Sequence, residues 1–436
     1  MNGAFVGRWS SAPQTGESLQ YALDWTLSEP GRPLSLALPF RPGNPAHRGE
    51  KVRAYFDNLL PDSREIRERV AGRFHTASTD AFDLLAEIGR DCVGALQILP
   101  EGVAPMGTQA VQFTPLTDTQ VAQILRGITT PSAMGLDAVQ DDFRISIAGA
   151  QEKTALLWVD GQWCLPQGAT PTTHIFKLPL GLVGGMKLDM RESVENEWLC
   201  ALILKAYGLP VANCELLQFE GMKVLCVERF DRVWWTSPEG IRMLIRLPQE
   251  DMCQARGLPP DAKYEADGGP GIDSIFQVLD GSLARAHDRS VFFQAQVLFW
   301  MLCATDGHAK NFSLFIRPAG RYQLAPLYDV LSAYPVLGEG SSNISPFKAK
   351  MAMSVRSRNV HWKMKDIHRR HWLAVGTRNG VVTEGGRPVG VILDNLAART
   401  PEAVASVRSQ LPRDFPMATA ESILDGLQSA AARLAA

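Results

Sequence analysis

The feature that most constrains this chain is a change of periodicity along its length. Between about residues 144 and 229, apolar residues recur in short alternating runs broken by turns, which is the spacing of strands. From about Gly271 onward they recur at helical spacing. A β-rich segment therefore precedes a helix-rich one. The main break in the second segment, Thr305 to Leu327, follows a very apolar helical run, Val291 to Ala304. With 436 residues, one compact core is not expected; two domains, or one domain with two lobes, are.

Before the β-rich segment the pattern is mixed α/β. Leu19 to Leu27 alternates like a strand, and Pro30 to Pro45 reads as loop. Val52 to Leu60 has helical spacing and stops at Pro61; Asp62 to Val70 reads as a second helix with Asp62 and Ser63 as caps. Asp80 to Glu87 predicts another helix, Ala95 to Leu99 a strand and Thr117 to Leu125 a helix. A boundary is expected near residues 128–141. Beyond it, strands are expected at Arg144 to Ile147, Thr154 to Val159 and His174 to Leu178, with an Asp160-Gly161 hairpin turn. Ser193 to Tyr207 predicts a helix ended by Gly208, and Cys214 to Arg229 a hairpin.

Composition excludes several classes. The net charge of -2 carries no nucleic-acid signature for the whole molecule, although a local basic patch is compatible with it. No run approaches the ~20 apolar residues of a membrane span. The start, MNGAFVGRWS, lacks a signal-peptide core. Seven dispersed cysteines without a CxxC pair predict reduced thiols and a cytoplasmic setting.

The chemistry candidates lie in the helical segment's break. Asp306 and Asn311 are five residues apart in Thr305-Asp306-Gly307-His308-Ala309-Lys310-Asn311. Protein-kinase catalytic loops use that interval, the Asp accepting the substrate hydroxyl proton and the Asn holding a metal. A short hairpin then leads to Tyr328-Asp329, where kinases place a second metal-binding carboxylate. Asn311 and Asp329 offer the hard oxygen ligands that magnesium requires. Upstream, Lys177 ends an apolar strand, and Glu195 and Glu197 follow on a helix, resembling the strand-lysine and helix-glutamate pair of kinases; either glutamate fits. The small residues of Ala148-Gly149-Ala150-Gln151-Glu152-Lys153 suit a phosphate-covering loop, although the segment is neither a Walker A loop nor G-x-G-x-x-G.

In these stretches the chain resembles the HipA serine/threonine kinases of bacterial toxin–antitoxin modules. The likeness is carried by Phe56 to Ser63, Asp83-Leu84-Leu85, Glu87 to Arg90, Ser146 to Thr154 and Thr172 to Pro179. It continues through Val227 to Arg232, Arg246 to Asp251, Asp267 to Gly271, Ala304 to Asn311 and Leu327 to Asp329. The resemblance implies an α+β fold: a bilobal kinase-like core with an additional N-terminal α/β domain. We expect residues 1–135 to form the latter and residues 136–436 the kinase-like part, with 136–270 mainly nucleotide-binding and 271–436 helical.

The resemblance also implies roles. Asp306 would be the catalytic proton acceptor, with Asn311 and Asp329 on magnesium. ATP would be held by Ala148, Gly149, Ala150, Gln151, Glu152, Lys153 and Lys177, by a hinge of Glu228, Arg229 and Phe230, and by His308, Ala309, Lys310, Asn311, Tyr328 and Asp329. Ser146 would be autophosphorylated, placing nearly two negative charges beside a polyphosphate site and silencing the kinase. The implied partners are a HipB-like helix-turn-helix antitoxin, operator DNA through that complex, and glutamyl-tRNA synthetase as substrate. The protein would then associate with the nucleoid when bound to antitoxin and operator. The basic run Arg356, Arg358, Lys363, Lys365, Arg369, Arg370 is a solvated face or a phosphate-contacting one. A small-molecule kinase and a catalytically idle corepressor are the alternatives open at this level.

Overall fold

The computed structural model describes residues 1–436 except 13, 15, 104–110, 130–145, 150 and 384. The chain forms two compact units, each built from several segments. The first comprises Met1–Leu178, Leu217–Asp261 and Leu314–Arg321; the second comprises Pro179–Leu216, Ala262–Ser313 and Tyr322–Ala436. The expected boundary near residues 128–141 lies almost wholly outside the described residues. So does half of the expected strand at Arg144 to Ile147, whose described residues, Ser146 and Ile147, are not strand.

The first unit opens with a three-stranded antiparallel sheet, Gly7–Ala12, Gly16–Tyr21 and His47–Arg48. Helices Glu50–Asp57, Arg64–Phe74 and Ala81–Ile88 follow. Val52, Tyr55, Phe56 and Leu59 recur at helical spacing and enter one core with Leu19, Tyr21 and Leu84. Trp9 stacks on Phe56 at 3.8 Å between ring centroids. Ser63 caps the second helix by accepting from the Ile66 N–H. Two expectations fail here. The strand-like run ends at Tyr21, and Leu23–Leu27 is a short helix, with Trp25 buried on its inner face. Ala95 to Leu99 joins no sheet; its Ile98 N–H bonds instead to the carbonyl of Gly89.

A six-stranded sheet belongs largely to this unit. Its order is Cys214–Phe219, Met222–Glu228, His174–Lys177, Lys153–Val159, Gln162–Pro166, Phe113–Pro115. Asp160 and Gly161 take φ of 51° and 79°, the two positive values that a tight Asp-Gly hairpin turn demands. Helix Asp118–Thr129 covers the sheet, Val121 and Leu125 meeting Leu156, Phe176 and Val224.

Beneath Leu36, Glu250 is fully buried. Its carboxyl accepts the Leu36 N–H at 2.9 Å, while Oε2 has no hydrogen-bond partner among the described residues. Burial pushes its pKa up from 4.5 to about 8. The folded carboxyl therefore keeps its proton through a range in which the unfolded one has lost it. This contribution to stability is complete below pH 4.5 and is lost as pH rises towards 8. Glu250→Gln should flatten the fall in denaturation midpoint between pH 5 and 8.5; urea titrations at successive pH values measure it.

The second unit is mainly helical: Ser193–Ala206, Ile272–Leu279, Arg285–Met301, Arg369–Arg378, Val389–Gln410 and Met417–Ala435. Its core includes Phe276, Phe292, Phe293, Phe299 and Trp372. A hairpin unforeseen from the sequence, Lys350–Arg356 with Val360–Lys363, carries part of the basic run. Among the described residues no helix is long and apolar enough to cross a membrane. All seven cysteines are free thiols, six of them buried.

Candidate phosphoryl-transfer site

The catalytic half of the expected site lies in the second unit. Helix Arg285–Met301 ends in a Schellman turn: Cys303 is left-handed at φ 50°, its N–H bonds the Trp300 carbonyl, and the Ala304 N–H bonds that of Phe299. This turn directs Thr305 and Asp306 out of the core. Gly307 is required next, because a Cβ there would lie 2.4 Å from the Phe299 ring. The His308 N–H returns to the Asp306 carbonyl at 2.8 Å, and Ala309–Asn311 forms a 3-10 turn.

Asn311 ties the constellation together. Its buried amide donates to the carbonyl of Asp306 at 2.9 Å and to that of Asp329 at 3.3 Å. With Nδ2 directed at both backbones, Oδ1 points the opposite way. Asp329 sits in the left-handed region, φ 61°, which an aspartate tolerates better than most residues. Tyr328 secures the same corner, its hydroxyl donating to the Lys310 carbonyl at 2.7 Å and lying 2.6 Å from Ser313 Oγ. Asp306 is exposed, whereas His308, Ala309, Lys310 and Asn311 are buried. The oxygens of Asn311 and Asp329 fit magnesium by type. No group of three or more His, Cys, Asp or Glu among the described residues is placed to cage a metal.

The expected nucleotide-side residues lie in the first unit. Lys177 ends the central strand of the six-stranded sheet and is buried, flanked by Lys153 and Leu225. Lys153 Nζ donates to the Ala148 carbonyl at 2.8 Å, and Gly149 has φ 111°, so the loop turns back on its own lysine. Gln151 bonds the Leu178 carbonyl at 2.5 Å and Glu152 pairs with Arg69. Ala150 lies outside the described residues. Ser146 is fully buried, its hydroxyl donating to the Leu59 carbonyl at 2.6 Å.

Arg229 is engaged inside the first unit. The hinge expectation gives it to adenine, yet its N–H is committed to Thr173 and its carbonyl to Arg232. Its guanidinium is buried against Asp91 at 3.1 Å and Asp231 at 2.9 Å. Arg232 and Arg246 reach the same Asp91 at 2.8 and 3.1 Å. Burial alone would raise the Asp91 pKa, but the three arginines outweigh it and hold the carboxylate far below its ordinary range. Glu228 is exposed at a strand end, and Phe230 is half-buried with its ring edge-on to Phe315. Glu195 and Glu197 are both buried on helix Ser193–Ala206 in the second unit. Of the basic run, Arg356 pairs with Glu265, Lys365 with Asp366 and Arg369 with Asp394. Arg358, Lys363 and Arg370 stay exposed.

Two family models match the sequence, the HipA N-terminal domain over residues 1–99 and the HipA-like C-terminal domain over residues 145–406. The chain belongs to the HipA family. Y4mE of Sinorhizobium fredii, named as a kinase, is 34% identical over 413 residues, covering 93% of this chain and 90% of its own. The serine/threonine-protein kinase toxin HipA of Shewanella oneidensis is 26% identical over 410 residues, 91% of this chain and 85% of that one. The fold agrees. HipA in the Shewanella oneidensis complex of HipA, HipB and operator DNA superposes with a TM-score of 0.76 at 24% identity, covering 98% of this chain and 95% of that one.

Proposed function

We propose that this family member is an ATP- and magnesium-dependent serine/threonine protein kinase that acts as the toxin of a toxin–antitoxin module. The observation that carries the reading is the joining of Asp306, Asn311 and Asp329 through one buried amide. The Asp306 carboxylate would take the proton of the acceptor hydroxyl as that oxygen attacks the γ-phosphorus. The bond to the β,γ-bridging oxygen breaks and ADP leaves. Asn311 and Asp329 would hold magnesium, which supplies neutralisation of the phosphate charge. Positioning and electrostatics account for most of the rate in such centres.

The acceptor we propose is a serine of glutamyl-tRNA synthetase, whose loss would arrest translation and growth. Ser146 would be the self-inactivation site. Its burial means that phosphorylation has to follow release of the segment from Leu59. A HipB-like antitoxin would restrain the kinase, and the pair would repress its own operon. Arg358, Lys363 and Arg370, exposed on the second unit, would then meet DNA phosphates beside the antitoxin. The reading is tested by incubating the protein with labelled ATP, magnesium and glutamyl-tRNA synthetase. Label is expected on the synthetase and on Ser146; label on neither, with ATP bound, would overturn it.

A further inference from the structure

We propose that Tyr264 is a positioning residue of this centre: its hydroxyl fixes one oxygen of Asp306 and leaves the other to receive the acceptor's proton. The inference rests on the kinase reading of Asp306 and adds a residue that the reading does not itself require.

Tyr264 Oη donates to Oδ1 of Asp306. The same ring stands edge-on to His308, with centroids 5.0 Å apart, so it bears on the catalytic loop at two points. All three residues belong to the second unit.

The tyrosine is carried on a built turn. Its carbonyl accepts from the N–H groups of Asp267 at 3.1 Å and Gly269 at 2.9 Å. A Cβ on Gly269 would lie 2.2 Å from the Ala262 carbonyl oxygen, so only glycine closes this turn. The neighbouring Glu265 anchors it. Its carboxylate accepts from the Ser354 N–H at 2.6 Å, the Ser354 hydroxyl at 2.8 Å and Arg356 at 2.9 Å. Ser354 lies on the buried part of strand Lys350–Arg356. Gly271 makes room for that anchor, since a Cβ there would meet the Glu265 carboxylate at 2.5 Å.

An exposed aspartate at a loop corner rotates about its terminal torsion, which is broad and nearly two-fold. A donor held on one oxygen removes that freedom before the acceptor arrives. A phenol does this without neutralising the carboxylate, as an arginine or lysine would. A plug on the acceptor position would share the same hydrogen bond, and the two roles differ in sign when the hydroxyl is removed.

The test uses the full chain with magnesium-ATP. It follows single-turnover transfer of labelled γ-phosphate to the protein itself and to added glutamyl-tRNA synthetase. Tyr264→Phe keeps the ring and should slow transfer roughly 10–100-fold. ATP affinity should stay within about twofold and the melting temperature within about 2 °C. Glu265→Gln should give a smaller loss in the same direction. Unchanged or faster transfer by Tyr264→Phe overturns the proposal, faster transfer marking a plug. A slower rate with matching losses of ATP affinity and thermal stability also overturns it, since a merely structural role has that signature. No transfer by the wild type removes the kinase reading and this proposal together. Wild-type transfer that Tyr264→Phe leaves intact removes the proposal alone.

Discussion

Asp306→Asn should lower phosphoryl transfer by about 10²–10⁴-fold or more while leaving nucleotide affinity and thermal stability nearly unchanged. The side chain is exposed and its one described side-chain contact is with Tyr264, so the fold loses little when the carboxylate becomes an amide. The loop's course is set elsewhere. Cys303 turns it out of the helix, Gly307 lets it pass Phe299, and the Asn311 amide holds the Asp306 carbonyl rather than its carboxylate. Single-turnover transfer measured beside calorimetric ATP binding separates the two effects. A matched fall in affinity would place Asp306 in nucleotide binding instead.

The second large effect is on stability. Asp91→Ala would leave Arg229, Arg232 and Arg246 buried with Asp231 as the one remaining carboxylate of the cluster. Stripping a buried charge of its partner costs about 3–5 kcal/mol. In a unit of this size each kcal/mol moves the midpoint by ~2–4 °C, so a drop of roughly 10 °C is expected by calorimetry. Removing the exposed i,i+4 partner Glu68 of Arg64 should cost less than about 0.5 kcal/mol and serves as the control. Because the Asp91 pKa is depressed, its contribution is present above the ordinary carboxylate range. It is lost only when pH falls well below that range. Mild acid should therefore not reproduce the mutant.

Local pattern revealed what depends on neighbours in sequence. The Asp160-Gly161 turn, the Ser63 cap and the helix after Glu192 follow from residues within a few positions of one another. The five-residue interval from Asp306 to Asn311 does too, and the Asn311 amide closes it onto the Asp306 carbonyl. What the sequence withheld depends on distance along the chain. Asp91 and Arg229 are 138 residues apart, and the motif Glu87 to Arg90 stops one residue short of the carboxylate that matters. The resemblance implies a hinge at Glu228, Arg229 and Phe230, and nothing near them in the sequence announces that the Arg229 guanidinium is buried against Asp91 and Asp231. Tyr264 was invisible for the same reason, lying 42 residues from Asp306 in a stretch whose glycines announce only a turn. The short helix Leu23–Leu27 hid behind alternation that continues past Tyr21, since five residues are too few to show helical period.

We propose Asp306, Asn311 and Asp329 as a phosphoryl-transfer centre acting on protein hydroxyls. Site-resolved mass spectrometry after incubation with magnesium-ATP and glutamyl-tRNA synthetase tests it most directly, wild type beside Asp306→Asn. Phosphoserine is expected in the wild-type reaction, on the synthetase and at Ser146, and none with the variant. ATP bound by the wild type with no phosphate on either protein, or equal phosphorylation by Asp306→Asn, would contradict it.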